Sequence, residues 1–251
     1  MHHITDTATR SALVVGGSRG LGRGIATALA HDARPVVVVG RTETALAELA
    51  AAVPGIHAEV ADAVDPAVAG QLLDRHDPAD VIVVAGATPL LRPLQHQTWE
   101  TFSVNWQTDV RIAFNWVREA LLRPLQSGSR MIVISSGAAL AGSPLSGGYA
   151  GAKATQRFIA AYAQDEADRA GLGITFTAVL PQITSATDLG RPAVTAYAQR
   201  AGMTEQEYLA RFGDTLTIEA AGAAVAGLTH PDTAPVARAY RLTAAGLQPL
   251  S

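Results

Sequence analysis

The sequence contains no cysteine, which excludes disulfide staples, thiolate nucleophiles and cysteine metal sites together. Charge is sparse: charged residues make up 16%, the formal net charge is −3, and no run of basic residues occurs. That balance excludes an electrostatic footprint for nucleic acid or an anionic membrane. Long apolar runs are missing too, since Val36 to Val39 is too short to span a bilayer. The stretch Met1 to Ser11 is polar, without the apolar centre of a targeting peptide, so a soluble cytoplasmic protein is expected. The seven histidines show no metal-ligand spacing, and His2-His3 reads as part of a polar tail. What is present is a 251-residue chain with 48% hydrophobic residues, enough to bury a substantial core. No linker, internal repeat or low-complexity tract divides it, so residues 1–251 read as a single domain.

Lysine is the other near-absence. Of 19 basic residues, only Lys153 is not arginine. Arginine is a planar fork that stays charged, whereas lysine offers a compact ammonium on a flexible stem, so the exception points to a job arginine cannot do. Its setting agrees. Met131 to Ile134 reads as a buried strand ending in Ser135-Ser136, a Gly/Ser/Pro loop follows, and a helical pattern starts near Ser146. Tyr149 and Lys153 lie four apart on one helical face. Strand end and helix start can therefore bring a hydroxyl, a phenol and an ammonium together.

In chain order, Ala12 to Val15 is an apolar strand feeding Gly16-Gly17-Ser18-Arg19-Gly20-Leu21-Gly22, and Leu21, Ile25, Ala28 and Leu29 recur at helical spacing. Glycines at a strand-to-helix turn let a backbone approach a pyrophosphate, while the helix start offers free N–H groups. A second strand, Pro35 to Val39, ends at Gly40-Arg41, the position about 20 residues on that meets an adenosine ribose in dinucleotide folds. Arg41 stands there, with Arg19 as a possible second clamp and Glu43 two residues late. This favours a 2′-phosphate, hence NADP(H) over NAD(H). Ile56 to Val60 and Asp80 to Ala85 read as further strands; Asp65-Pro66 caps a helix between them. A long helix is expected from Thr98 to Arg123, with Phe102, Trp106, Val110, Ala113, Phe114, Val117 and Leu121 on one stripe. Strands alternating with helices at this rhythm predict an α/β doubly wound parallel sheet with helices on both faces.

Taken together these features resemble the short-chain dehydrogenase/reductase family, over essentially the whole chain. The family's Thr-Gly-x-x-x-Gly-x-Gly loop corresponds to Val15-Gly16-x-x-x-Gly20-x-Gly22, its adenine-binding aspartate to Asp62, and its Asn-Asn-Ala-Gly strand end to Val83-Val84-Ala85-Gly86. Its catalytic asparagine corresponds to Asn105, its Ser and Tyr-x-x-x-Lys to Ser136, Tyr149 and Lys153, and its Pro-Gly after the sixth strand to Pro181-Gln182. Ile183 and Thr187 fall where the nicotinamide amide and phosphates would lie. The resemblance implies a Rossmann-type sheet of about seven strands and an NADP(H)-dependent carbonyl reductase. Tyr149 would be its acid, Ser136 the donor on the substrate oxygen, Lys153 a holder of the nicotinamide ribose, and Asn105 the support of a water path to solvent. An unperturbed phenol titrates near 10, and an adjacent ammonium makes it a better acid. The resemblance also implies a homodimer or homotetramer, paired through the long helix and the helix bearing Tyr149.

Departures from the family pattern are Val15 for threonine, Val83-Val84 for two asparagines, Gln182 for glycine, and one extra residue before Thr187-Asp188. Ile174 to Leu180 is expected as the sixth strand, Ala220 to Leu228 as the last helix and Val236 to Leu242 as the last strand. Between them, residues 182–213 read as a lid. It has one helix from Arg191 to Ala201 and another opened by the capping box Thr204 to Glu207, carrying Tyr208, Leu209 and Phe212 over a hydrophobic pocket. The substrate expected is a small-molecule ketone or aldehyde. A 3-oxoacyl thioester is one candidate, because the layout resembles 3-oxoacyl-carrier-protein reductases; Arg123 and Arg169 could meet an acidic carrier protein, although scattered arginines are weak evidence for one. Alternatives are an alcohol dehydrogenase running oxidatively on NADP⁺ and a non-catalytic NADP(H)-binding sensor.

Overall fold

The computed structural model of the chain describes residues 10–32, 34–230, 233 and 236–250; the His2-His3 tail lies outside them. Seven strands run parallel: β1 (Ala12–Val15), β2 (Val36–Gly40), β3 (Ile56–Val60), β4 (Asp80–Val83), β5 (Arg130–Ile134), β6 (Thr175–Pro181) and β7 (Ala239–Thr243). An eighth, β8 (Gly246–Leu250), pairs antiparallel with β7, giving the order β3-β2-β1-β4-β5-β6-β7-β8. The sequence reading stops at seven because β8 is short and contains Pro249. A residue without an N–H is tolerated there only because the strand lies at the sheet edge.

Helices α1 (Gly20–His31), α2 (Glu43–Ala52), α3 (Pro66–His76), α4 (Trp99–Asn105), α5 (Arg111–Leu122), α6 (Ala138–Ala141), α7 (Tyr149–Ala170), α8 (Gly190–Ala201), α9 (Glu205–Ala210) and α10 (Ile218–Gly227) complete the fold. Alternation along the strands sorts two cores. Leu13, Val15, Val37, Val81, Met131 and Phe176 pack on the face carrying Leu72, Trp116 and Ala160 of α3, α5 and α7. Their neighbours Val14, Val38, Ile82 and Ile132 face Ile25, Leu29, Leu49 and Val225 of α1, α2 and α10. On that second face α1 and α10 cross backbone to backbone: a Cβ at Gly24 would strike Ile218, and one at Gly222 would strike the Gly24 carbonyl.

The expected continuous helix over 98–123 is broken by a π turn, Trp106–Val110. The extra residue turns the following helix by about 100° relative to an unbroken one. Of the expected stripe, Ala113 and Val117 are buried at 0% and 3%, Phe114 and Trp106 are exposed at 52% and 40%, and Trp116, off the stripe, takes the interior at 0%. The helix anticipated from Ser146 starts instead at Tyr149, after a turn in which Gly147 has φ +56. Among the described residues, no helix is long and apolar enough to cross a membrane.

At the amino ends of the strands, Asp80 is fully buried and holds Arg34, itself 8% exposed, and Arg10. Arg34 also donates to Thr229 Oγ1 (2.5 Å) and the carbonyl of Arg10 (2.8 Å), so the fork is fully engaged. Removing one partner of such a pair strands the other charge in a dry interior. Asp80→Asn is expected to cost about 3–5 kcal/mol, read as a lower denaturant midpoint at unchanged slope.

Candidate functional site

Going out from β1 the chain winds to β2 and β3 on one side, then returns to β4, β5 and β6 on the other. The reversal opens a crevice at the carboxyl ends of the strands, where open α/β sheets place their ligands. A cleft of about 990 Å³ occupies this position. Every residue predicted to hold the dinucleotide lines it: Gly16, Ser18, Arg19, Gly20, Leu21 and Gly22 after β1, Arg41 after β2, Asp62 after β3, Ala85 and Gly86 after β4, and Pro181, Ile183 and Thr187 after β6. Ser136, Tyr149 and Lys153 line it as well.

The glycine loop has the shape the chemistry needs. Gly16 sits at φ +76, and a Cβ there would collide with the carbonyl of Val84 on the neighbouring strand end. A Cβ on Gly22 would collide with the carbonyl of Gly16, so the helix start is packed directly on the loop. Arg19, the N-cap of α1, makes no side-chain capping bond, which leaves the first amides of the helix open toward the cleft. Arg19 and Arg41 are both exposed at its rim. These are features a phosphorylated dinucleotide would fit. Asp62 is held in place by accepting from the Val64 amide at 3.1 Å.

On the other side of the cleft, α7 starts hard against α4: the Gly148 amide donates to the Phe102 carbonyl (2.9 Å), and a side chain at Gly148 would strike that carbonyl and the Trp106 ring. Tyr149 is thereby the first residue of the helix, half-buried at the cleft wall. One turn on, Lys153 is 2% exposed, with Nζ 5.6 Å from the centre of the Tyr149 ring. Its ammonium donates to the Ala85 carbonyl (2.6 Å) and pairs with Asp109 at 3.2 Å. Ser135 Oγ donates to the Lys153 carbonyl (2.6 Å), and Ser136, one residue later, accepts from the Ala138 amide at 3.2 Å. Asn105 does not reach the cleft. It is fully buried behind it, donating to the Ala87 carbonyl (2.8 Å) and to Asp109 (3.3 Å).

Asp109 is absent from the sequence-predicted set. Its signal was a carboxylate four residues after Asn105, on the side of the helix that also carries Ile112 and Trp116. It answers the question raised by Val83-Val84, since Asp109 Oδ1 accepts the Ala87 amide at 2.8 Å and so anchors the strand-end loop. Gln182 likewise has a structural part. Its backbone amide donates to the Leu242 carbonyl (2.8 Å) and its side-chain amide to the Asp214 carbonyl (2.7 Å). With Thr184 donating to the Leu216 carbonyl (2.7 Å), it ties both ends of the lid together.

Within the lid, α8 and α9 appear as expected, and both bonds of the capping box at Thr204 and Glu207 form. Tyr197 stacks on Tyr208 at 6.1 Å, Tyr208 meets Phe212 edge-on at 5.4 Å, and Arg211 lies over Tyr208. Burial raises the Tyr208 phenol above its ordinary pKa, with Tyr197 adding to the shift and Arg211 opposing it. Tyr197, Tyr208 and Phe212 both hold the lid together and line the cleft.

The sequence profile described as short chain dehydrogenase matches residues 10–198. The L-xylulose reductase of Mesocricetus auratus is 34% identical over 104 residues, 41% of this chain and 43% of that protein. A carbonyl reductase [NADPH] 2 of Sus scrofa is 32% identical over 103 residues, 41% of this chain and 42% of that protein. The chain thus spans less than half the length of these curated relatives. A solved dehydrogenase/reductase from Sinorhizobium meliloti superposes with a TM-score of 0.74 at 26% identity, covering 92% of this chain and 91% of that one.

The Tyr197 hydroxyl bonds Ser143 Oγ (2.6 Å) and accepts the Leu145 amide (3.0 Å), so it clasps the lid to the loop before α7. Tyr197→Phe leaves that amide unpaired and is expected to cost about 1–3 kcal/mol. Hydrogen exchange should show faster exchange confined to residues 185–213 and 143–146.

Proposed function

Because the chain belongs to the short-chain dehydrogenase family, a family of oxidoreductases, we propose that it is an NADPH-dependent reductase of a ketone or aldehyde, with Tyr149 as its acid. The observation carrying this reading is the half-buried phenol of Tyr149 at the wall of the cleft, one helical turn from a buried ammonium, opposite a glycine loop shaped for a pyrophosphate. The loop amides at Gly16 to Gly22 would hold the phosphates, Asp62 the adenine, Lys153 the nicotinamide ribose, and Ile183 and Thr187 the nicotinamide end. A reduced nicotinamide held by these residues would supply the hydride for the new C–H bond. Ser136 donates a hydrogen bond to the carbonyl oxygen and fixes it. Tyr149 gives its proton to that oxygen as negative charge develops, its O–H bond breaking as the alcohol O–H forms. The tyrosinate left behind lies beside the Lys153 ammonium, which stabilises it until solvent returns a proton.

Arg19 and Arg41 support NADPH, since no carboxylate stands at the end of β2 and Glu43 lies within the first turn of α2. The relative named for NADPH points the same way. The substrate end of the cleft, walled by Leu140, Leu189, Tyr197, Tyr208 and Phe212, suits an apolar or aromatic carbonyl compound. Trp99, Phe114, Phe158 and Tyr162 expose 72, 52, 52 and 63% of their surface on α4, α5 and α7, a face suited to a second copy of the chain. Light scattering should then give at least twice the chain mass, falling on Phe158→Asp.

NADPH oxidation with a panel of ketones and aldehydes is the test. Tyr149→Phe should lower kcat by about 10²–10⁴-fold, in line with loss of a positioned acid, while binding NADPH as wild type does. Equal binding with no turnover by either protein, in reduction or oxidation, would make the chain a sensor. Arg41→Ser should lower the preference for NADPH over NADH about 10–100-fold, the loss of one charge-assisted bond.

A further inference from the structure

Resting on that reading, we propose that Asp109 is a positioning residue: the buried counter-ion that holds the Lys153 ammonium in place beneath Tyr149. An ammonium as buried as that of Lys153 has little access to water, and without a compensating charge it is driven to lose its proton. The compensating charge comes from the π turn. Asp109 is 0% exposed, and its two oxygens are divided between two tasks. Oδ1 accepts the Ala87 amide at 2.8 Å, and Oδ2 faces Lys153 Nζ at 3.2 Å and the Asn105 amide at 3.3 Å. The wider π turn buries Asn105 and Asp109 together, and the Gln156 amide of α7 donates to the Asp109 carbonyl at 2.9 Å, locking the turn against the helix that bears the acid. Thus a carboxylate is fixed by backbone on one side and presents its charge to the ammonium on the other.

The groups that meet at Asp109 are Lys153 and, through it, Tyr149 on α7, Asn105 on α4, Gln156 on α7, and the backbone of the loop after β4. Among the described residues, the carboxylate is the one opposite charge that meets the buried ammonium, and with the Ala85 carbonyl it fixes where Nζ lies under the phenol ring.

Asp109→Asn is the discriminating variant because the asparagine oxygen can still accept the Ala87 amide. kcat for reduction should fall about 10–100-fold, as expected when a group beside the acid is misplaced, with KM and NADPH affinity changed far less. An unchanged kcat in a folded variant would overturn the proposal, leaving Asp109 as a loop anchor only. A second arm needs no substrate, so its result stands whatever becomes of the proposed activity. Lys153→Met strands a buried carboxylate and Asp109→Asn strands a buried ammonium, so each alone should lower the thermal midpoint, and the double variant should melt above either. That double variant should fold even if Asp109→Asn does not; a double variant that loses the sum of the two single losses, or does not fold, overturns the ion pair.

Discussion

A parallel sheet covered by helices on both faces has nowhere to put chemistry except its edges, and this constraint orders the whole molecule. The apolar side chains of β1, β2, β4, β5 and β6 are shared between the two cores by alternation. Polar function is pushed to the first residues beyond each strand. Because the winding reverses at β1, those residues from six strands, β1 to β6, converge on one cleft rather than being spread along the sheet. The opposite end shows the same constraint from its other side, where the one carboxylate at the start of β4 needs Arg34 and Arg10 to be tolerable.

Lys153 is the element for which that shelter is most costly. A cation this buried must be matched, and the match is assembled from α4, the π turn, α7 and the loop after β4. Asn105 and Asp109, four apart across the π turn, share one face of the chain and are buried together. The departures Val83-Val84 and Gln182, which looked like losses against the family pattern, coincide with new bonds from Asp109 and to Asp214.

Much of this is legible in the sequence. The strands announce themselves as short valine-rich runs, and the residues beyond them carry the glycines, Arg41, Asp62, Ser136 and the Tyr149/Lys153 pair, all found in one cleft. Helical periodicity assumes 3.6 residues per turn, so it does not show the π turn, nor that Trp116 is buried while Phe114, on the stripe with Ala113 and Val117, is exposed. Asp109 was passed over because one acid on an amphipathic helix reads as surface until the fold buries it. Strand β8 escaped because its proline argues against a strand except at an edge, and an edge is a property of the assembled sheet.

The lid hangs from the sheet by a narrow neck, since Gln182 and Thr184 on its way out are bonded to the carbonyls of Asp214 and Leu216 on its way back. Chain between two such clasps can be lengthened, shortened or rewritten while the strands beneath register no change. The sheet's registration is thus mechanically separable from what the segment carries, and a lineage could exchange some thirty residues there as one cassette.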